Sequence, residues 1–511
     1  MPLALLALAC LQRDTFPDLS RKDTGAVDTA VPPADTATGD TGPATPGTVT
    51  VSHRREMRGI FVTSVWNIDW PARTGLSANQ LTQSVGEMVD TLADAGINAI
   101  FLQVRPESDA LYASSIEPWS RWISESQGTN PGMDPLAVWV EAAHARGLEL
   151  HAWMNPYRAR AGSTSTSSLA ANHIARQHPE HAHAYPNETS PSRHLWMDPG
   201  ADVVRQRVLD VIADVVTRYD VDGVVFDDYF YPYPVDGVDF PDTATWNAYR
   251  NAGGSLARDD WRRDNVNRLV RGVHETIAAI RPSVRFGVSP FGIWRPGNPA
   301  GVTGLDAYDA IYCDPPTWAA QGWVDYLAPQ LYWRTTSSGQ PYGALTRWWD
   351  GQLSEGQWLF PANALYRLED SSPWPVSEFT DEIAITRDTT LTRTGGHVWY
   401  PANTLVDDVA GVRALARGTW YAAPAVPPPV AAVATRSVTP PVLTRNGATV
   451  SWTVDADVRA VLVYAERGGA WTLDRVVPQP ERTTSLATGR WALSALAAGD
   501  VESEGVPVEV P

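Results

Sequence analysis

Two consecutive carboxylates, Asp227 and Asp228, close the apolar run Gly223–Phe226 and open an aromatic one, Tyr229–Tyr231. Acid–base chemistry needs such a pair. One carboxyl group must hold a proton, the other a charge, and a buried setting drives their pKa values apart. On a continuing strand the two side chains face opposite ways, so at least one is expected to face a cleft. Asp228 is the preferred member and Asp227 follows closely. Glu117, in the Glu-Pro-Trp-Ser stretch 117–120, and Asp314, after Cys313, are the leading candidates for a second carboxylate. Glu107 and Asp109 rank below them, and Asp222 reads as structural because it starts its run.

Polar and aromatic residues recur at the ends of other apolar runs: Arg105, His151, Trp153, Asn155, Tyr157, Arg158, Tyr229, Gln330, Tyr332 and Trp333. A sugar ring offers an apolar C–H face that stacks on aromatic rings and a hydroxyl rim that needs polar partners. These residues are therefore the expected substrate contacts, and paired carboxyl groups beside them suit cleavage of a glycosidic bond. For His151, a buried hydrogen-bonded core role weighs as much as ligand contact.

Positioning such a set takes many strand ends at one face. Apolar runs at 58–64, 97–104, 148–155, 223–228, 285–290, 326–332, 358–364 and 397–401 read as eight strands. Helical periodicity separates several of them, with apolar stripes over 79–95 and 201–219. The alternation predicts an α/β fold, a (β/α)8 TIM barrel over 51–423, with its site at the C-terminal strand ends. A doubly wound open sheet is the runner-up, weakened because no GxGxxG turn follows the first run. The Pro-rich run 424–429 reads as a stiff hinge, and the alternating strands of 430–511 as a small all-β sandwich with a fibronectin type III-like pattern. Residues 11–50, rich in Asp, Thr and Pro, form an expected solvated linker. Residues 1–10 end an apolar run at Cys10, which resembles a bacterial lipoprotein signal. Export and lipidation of Cys10 are expected, and with them a possible lipid anchor to the membrane.

Composition excludes other chemistries. The 511 residues are 43% hydrophobic and 19% charged, with a formal charge of −18, which argues against nucleic-acid binding. Lys22 is the one lysine, so no lysine Schiff base, pyridoxal lysine or P-loop is available. Cys10 and Cys313 are too few for a disulfide framework or zinc cluster, and Cys313 has no nucleophile signature around it. His178, His181 and His183 fall in a loop and are not taken as a metal site, so neither metal nor cofactor is expected.

The ordered motifs also carry a family resemblance. Arg58–Thr63, Asp69-Trp70-Pro71, Asn98–Pro106, Asp109–Tyr112, Glu117–Ser120, His151–Arg158, Asp227–Phe230, Ser289–Gly292 and Pro329–Trp333 together resemble the glycosyl-hydrolase-like family ten of bacterial envelope proteins, over about 55–425. The resemblance implies a barrel, glycosidase activity and a polysaccharide partner, with peptidoglycan glycan strands as substrate. Ser108 departs from the family's usual Gly before Asp109. A catalytically silent carbohydrate-binding protein using the same aromatic cleft is the alternative. Of 22 tryptophans, Trp70, Trp119, Trp153 and Trp333 are expected at the cleft, and Trp452, Trp471 and Trp491 in the sandwich core.

Overall fold

Eight parallel strands are set by eight short apolar runs: β1 (Met57–Val62), β2 (Ala99–Arg105), β3 (Glu149–Met154), β4 (Gly223–Phe226), β5 (Arg285–Val288), β6 (Tyr326–Leu327), β7 in two halves (Trp358–Leu359 and Ala362–Ala364) and β8 (Gly396–Tyr400). The computed structural model describes residues 47–187 and 190–511. Cys10 and the Asp/Thr-rich stretch through residue 46 lie outside the described residues. The hydrogen-bonded order is first half of β7, β6, β5, β4, β3, β2, β1, β8, second half of β7. Because the sheet begins and ends on the same chain run, it closes into a barrel.

Proline explains the break. Pro361 has no N–H to donate, so β7 cannot keep one partner throughout. Before it, Phe360 N donates to Leu327 O at 2.9 Å; after it, Ala362 through Ala364 align with Val398 through Tyr400. Strand β6 is shorter than its apolar run for a related reason. Regular pairing stops at Leu327, before Pro329, and single contacts such as Gln330 to Ala362 continue the seam.

The helices follow their predicted stripes. Helix α1 (Ala78–Asp94) starts at a capping box in which Ser77 and Gln80 satisfy each other's backbone donors, and it buries Leu81, Val85, Val89 and Leu92. Two long helices, α2 (Asp202–Arg218) and α3 (Arg258–Ile280), pack on one another outside β4 and β5. After β3 the chain forms an excursion, an antiparallel sheet of Arg158–Arg160, Ser190–Met197 and Ala182–Asn187. The loop expected around the histidines therefore ends at His181, and His183 is on a strand. The alternation there is interrupted by prolines and polar residues, which hid the strand.

Inside the barrel, side chains alternate in and out, and two glycines admit large neighbours. A Cβ at Gly223 would come within 2.4 Å of the His151 ring, and one at Gly287 within 2.1 Å of the Tyr326 ring. His151 bridges Tyr326 OH (2.8 Å) and Glu149 (3.0 Å) in the lower barrel, and burial holds its pKa well below the usual value. It is a neutral core residue.

Residues 442–511 form two antiparallel sheets. One joins Val442–Asn446, Thr449–Thr453 and Thr483–Ser485. The other joins Ala470–Pro478, Val458–Arg467 and Gly489–Ala497, with Val501–Glu502 and Val506–Val510 added to the last. Trp452 and Trp491 are buried between them, whereas Trp471 is half-buried beside Arg490. The Pro-rich run lies against the barrel's N-terminal face, with Ala425–Pro428 buried. Glu56 N donates to Val426 O at 2.9 Å and Trp358 Nε1 to Pro429 O at 3.1 Å.

Arg285 is the centre of this floor. Its guanidinium reaches Glu149 at 3.3 Å, the carbonyl of Pro428 at 2.5 Å, and Asp500 of the sandwich. Burial alone raises the Glu149 pKa, but Arg285 beside it holds it below the usual range; burial and Glu149 push Asp500 well up. Removing one partner of a buried ionic group leaves uncompensated charge, at a cost of about 3–5 kcal/mol. Arg285→Met is expected to lose about that much stability, read as a lower urea midpoint of unfolding; an unchanged midpoint would show the floor carries no such load.

Candidate active site

The in–out alternation continues upward to a single pocket. On β3, Glu149, His151 and Trp153 share the interior face; on β4 it is Gly223, Val225 and then Asp227; on β5 it is Arg285, Gly287 and then Ser289. The upper members, with Phe61, Gln103 and Gln330, line a pocket of about 610 Å3, open mouth included. Asp228 would point outward on a continued strand. Strand β4 ends at Phe226, however, the chain turns, and both aspartates border the same pocket.

The two carboxyl groups have different surroundings. Asp227 accepts from Trp153 Nε1 at 3.1 Å and from Asn155 Nδ2 at 3.1 and 3.2 Å, with Tyr229 N at 3.4 Å. Burial raises its pKa, while the Arg158 charge and these donors pull it back. Asp228 accepts one hydroxyl hydrogen bond, from Tyr233 to Oδ2, and its Oδ1 is buried with no hydrogen-bond partner. Burial, and then the Asp227 charge, push Asp228 up to about 7 against the pull of hydrogen bonds from Tyr233 and Gln330. Burial thus disfavours both charges, and the donors around Asp227 support its charged form more than those around Asp228 support its own.

Aromatic rings form the other wall. Tyr332, Tyr366 and Tyr400 lie 6.0–6.1 Å apart by ring centroid, Phe61 is 6.3 Å from Tyr400, and Trp153 is 5.2 Å from Phe61. Tyr400 ends β8, four strands around the barrel from the aspartates on β4, so the acids and this tyrosine stand on opposite sides. Arg158 lines the pocket with its guanidinium 5.4 Å from the Tyr229 ring and donates to Pro106 O at 3.2 Å.

Several candidates are placed elsewhere. Glu117 is buried behind the pocket, and both its oxygens receive Arg105, at 2.8 and 2.5 Å. Arg105 also donates to the carbonyls of Asn155 (2.6 Å) and Pro156 (3.0 Å), so neither partner faces the pocket. The pair instead braces the Asn155 backbone, and Asn155 in turn holds Asp227. Asp314 precedes a short helix, accepts from Thr317 Oγ1 at 2.6 Å and borders a separate surface hollow. Tyr157 is buried beneath the strand ends, and Trp333 packs edge-on against Phe291 (5.7 Å) outside the pocket lining. Trp70 is a core residue, bonded to Ser84 and packed on Trp139; Trp119 does not line the pocket either.

Sequence reasoning named Asp227, Asp228, Trp153, Arg158, Tyr229, Gln330 and Tyr332, which line the pocket, and Asn155, which holds Asp227. It noted Gln103 and Ser289 at strand ends without naming them as contacts, and passed over Phe61, Tyr233, Tyr366 and Tyr400. Phe61, Gln103 and Ser289 follow from inward alternation once strand ends are known. Tyr400 ends a recognised run. Tyr233 and Tyr366 lie in irregular segments with no periodic signal.

The family model described as glycosyl hydrolase-like 10 matches residues 56–358. Glycosyl hydrolase YngK of Bacillus subtilis (strain 168) is 37% identical over 384 residues, 73% of each chain. Glycosyl hydrolase DigH of Escherichia coli (strain K12) is 38% identical over 363 residues, 68% of this chain and 78% of that one. Among solved structures, the PgaB (BpsB) glycoside hydrolase domain from Bordetella bronchiseptica aligns with a TM-score of 0.45 at 13% identity, covering 71% of this chain and 98% of that domain. The closed barrel with its acid pair and aromatic wall is that of a glycosidase. The chain belongs to the glycosyl hydrolase-like 10 family.

The geometry separates chemistry from support. Glu117→Gln leaves the buried Arg105 without its counter-charge and is expected to lower unfolding stability by about 3–5 kcal/mol. Asp228→Asn removes a carboxyl held at a raised pKa and is expected to leave the unfolding midpoint unchanged or higher. Equal midpoints for wild type and Glu117→Gln in urea titrations would overturn the bracing role.

Proposed function

We propose that this glycosidase cleaves glycan strands of peptidoglycan after export, with Asp228 as general acid and Asp227 as its charged partner. The observation that carries the chemical assignment is the unequal bonding of two carboxyl groups in one pocket: Asp227 is held by Trp153 and Asn155, whereas Asp228 accepts from the Tyr233 hydroxyl and keeps a buried Oδ1 unpaired, in keeping with its raised pKa. A glycan chain enters with one ring in the pocket among Tyr332, Tyr366 and Tyr400. Asp228 gives its proton to the leaving glycosidic oxygen as the bond to the anomeric carbon breaks. Asp227 keeps its charge and faces the positive charge that develops on the sugar. Water supplies the hydroxyl that completes the product, and Asp228 regains a proton.

The peptidoglycan reading is supported by the family's resemblance to bacterial envelope proteins, and the export reading by the apolar start ending at Cys10. Lipidation of Cys10 would tether the barrel to a membrane through the Asp/Thr-rich stretch. The fibronectin type III-like reading of the C-terminal domain is supported by its strand order, three strands in one sheet and a larger antiparallel sheet against it.

Asp228→Asn is expected to lower turnover on denuded peptidoglycan strands by roughly 10²- to 10⁴-fold, the usual contribution of a general acid, while glycan binding persists. Release of product from other polysaccharides but not from these strands would overturn the substrate. The acid form of Asp228 is the active one, so activity should fall as pH rises through about 7. The Tyr233 hydrogen bond favours the anion. Tyr233→Phe should therefore move this alkaline limb to higher pH, measured as kcat/KM against pH. A limb that stays in place would remove Asp228 from the acid role.

A further inference from the structure

We propose that Trp66 is the platform of a second sugar subsite, taking another pyranose ring of the glycan chain whose neighbouring unit occupies the pocket. The inference rests on the pocket being the glycan site and extends it along the chain. Trp66 follows Val65, which lines the pocket, and on its other side packs against Gly162, reached by the short strand that begins at pocket-lining Arg158. Trp66 itself is outside the pocket lining, directly beside it, between the segments that carry Val65 and Arg158.

Its exposure is unusual. The indole is 45% exposed, and among the described residues the other large exposed apolar side chains are aliphatic. The backbone holds it there under strain. Trp66 (φ 60°) and Asn67 (φ 52°) are consecutive left-handed residues without glycine, a conformation that bulky side chains rarely adopt and that clusters at functional sites. Several bonds maintain it. Gln103 accepts from Ser64 N (3.1 Å) and Val65 N (2.9 Å), and Asn67 Nδ2 donates to Trp122 O (2.7 Å) and Pro71 O (2.9 Å).

The surroundings are built as a ledge. Trp122 stands 5.0 Å from Trp66, and the Arg121 guanidinium lies 4.2 Å from the Trp122 ring and 6.0 Å from that of Trp66. Arg121 is itself fixed by Glu107 at 2.7 and 2.8 Å and by Ala161 O at 3.1 Å. A Cβ at Gly162 would approach the Trp66 ring to 2.9 Å, and its φ of +68° also favours glycine. The fold thus holds a partly exposed aromatic side chain, by backbone strain and a charged clamp, beside the pocket lining. A pyranose C–H face is the ligand that matches it.

The test uses full-length Asp228→Asn as parent, so that binding is read without turnover. Calorimetric titrations use oligomers of denuded peptidoglycan glycan, from disaccharide to octasaccharide. Parent affinity is expected to rise with length. Adding Trp66→Asn, which keeps a residue tolerant of the left-handed backbone, is expected to weaken the longest oligomers about three- to ten-fold, with the loss growing with length. Trp66→Phe should retain most of the affinity, and Val442→Ala in the sandwich should change nothing. Parent-like binding of every length by the Trp66→Asn variant would overturn the subsite. Failure of the parent to bind any oligomer would overturn the pocket assignment and this inference with it.

Discussion

A buried ion pair outside the pocket lining organises the site. Arg105 and Glu117 are sealed beneath the strand ends, and each satisfies the other's charge. Such a pair adds little to net stability, because desolvation consumes most of its attraction. Its value is geometric. The remaining guanidinium donors fix the Asn155 and Pro156 carbonyls, Asn155 Oδ1 accepts from the backbone of Tyr157 and Arg158, and Asn155 Nδ2 grips Asp227. A rigid planar fork thus controls the orientation of a carboxylate two residues removed from it.

The same economy separates the two acids. Asp227 and Asp228 are neighbours of one residue type in one pocket, and burial penalises both charges. Three side chains, Trp153, Asn155 and Arg158, compensate Asp227, whereas Asp228 has the uncharged donors Tyr233 and Gln330 and a buried Oδ1 left over. The difference lies in hydrogen bonding and nearby charge rather than in residue type. The end of β4 at Phe226 is what permits this, since a longer strand would turn Asp228 away from the pocket.

At the opposite end, the barrel is closed by charge as well as by apolar packing. Arg285 joins the buried Glu149 of β3 to the Pro-rich run and to Asp500, and Arg459 of the sandwich pairs with Asp222. The C-terminal domain thereby covers polar groups that the barrel floor would otherwise expose. The run 424–429, stiff because of its prolines, acts here as a packed strap whose carbonyls face donors of the barrel.

Local pattern carried much of this protein. Apolar run length and helical stripes determined the number of strands, the parallel barrel and the all-β domain, because burial on both faces and 3.6-residue periodicity are written residue by residue. Motif order likewise pointed to Asp227, Asp228 and Trp153. Charge alone, however, does not distinguish a catalytic carboxylate from a brace: Glu117 sits on a catalytic-end loop, yet only the fold shows Arg105 occupying both its oxygens. Trp70 and Trp333 were drawn to the cleft by residue type and are held in the core and at the rim by their neighbours. Many of the partners that set a side chain's environment are distant in sequence, 12 residues away in Arg105–Glu117 and 136 in Glu149–Arg285. Tertiary structure alone could decide which acids border the pocket and which are sealed behind it, since desolvation and hydrogen bonding depend on what surrounds a group and not on its place in the chain.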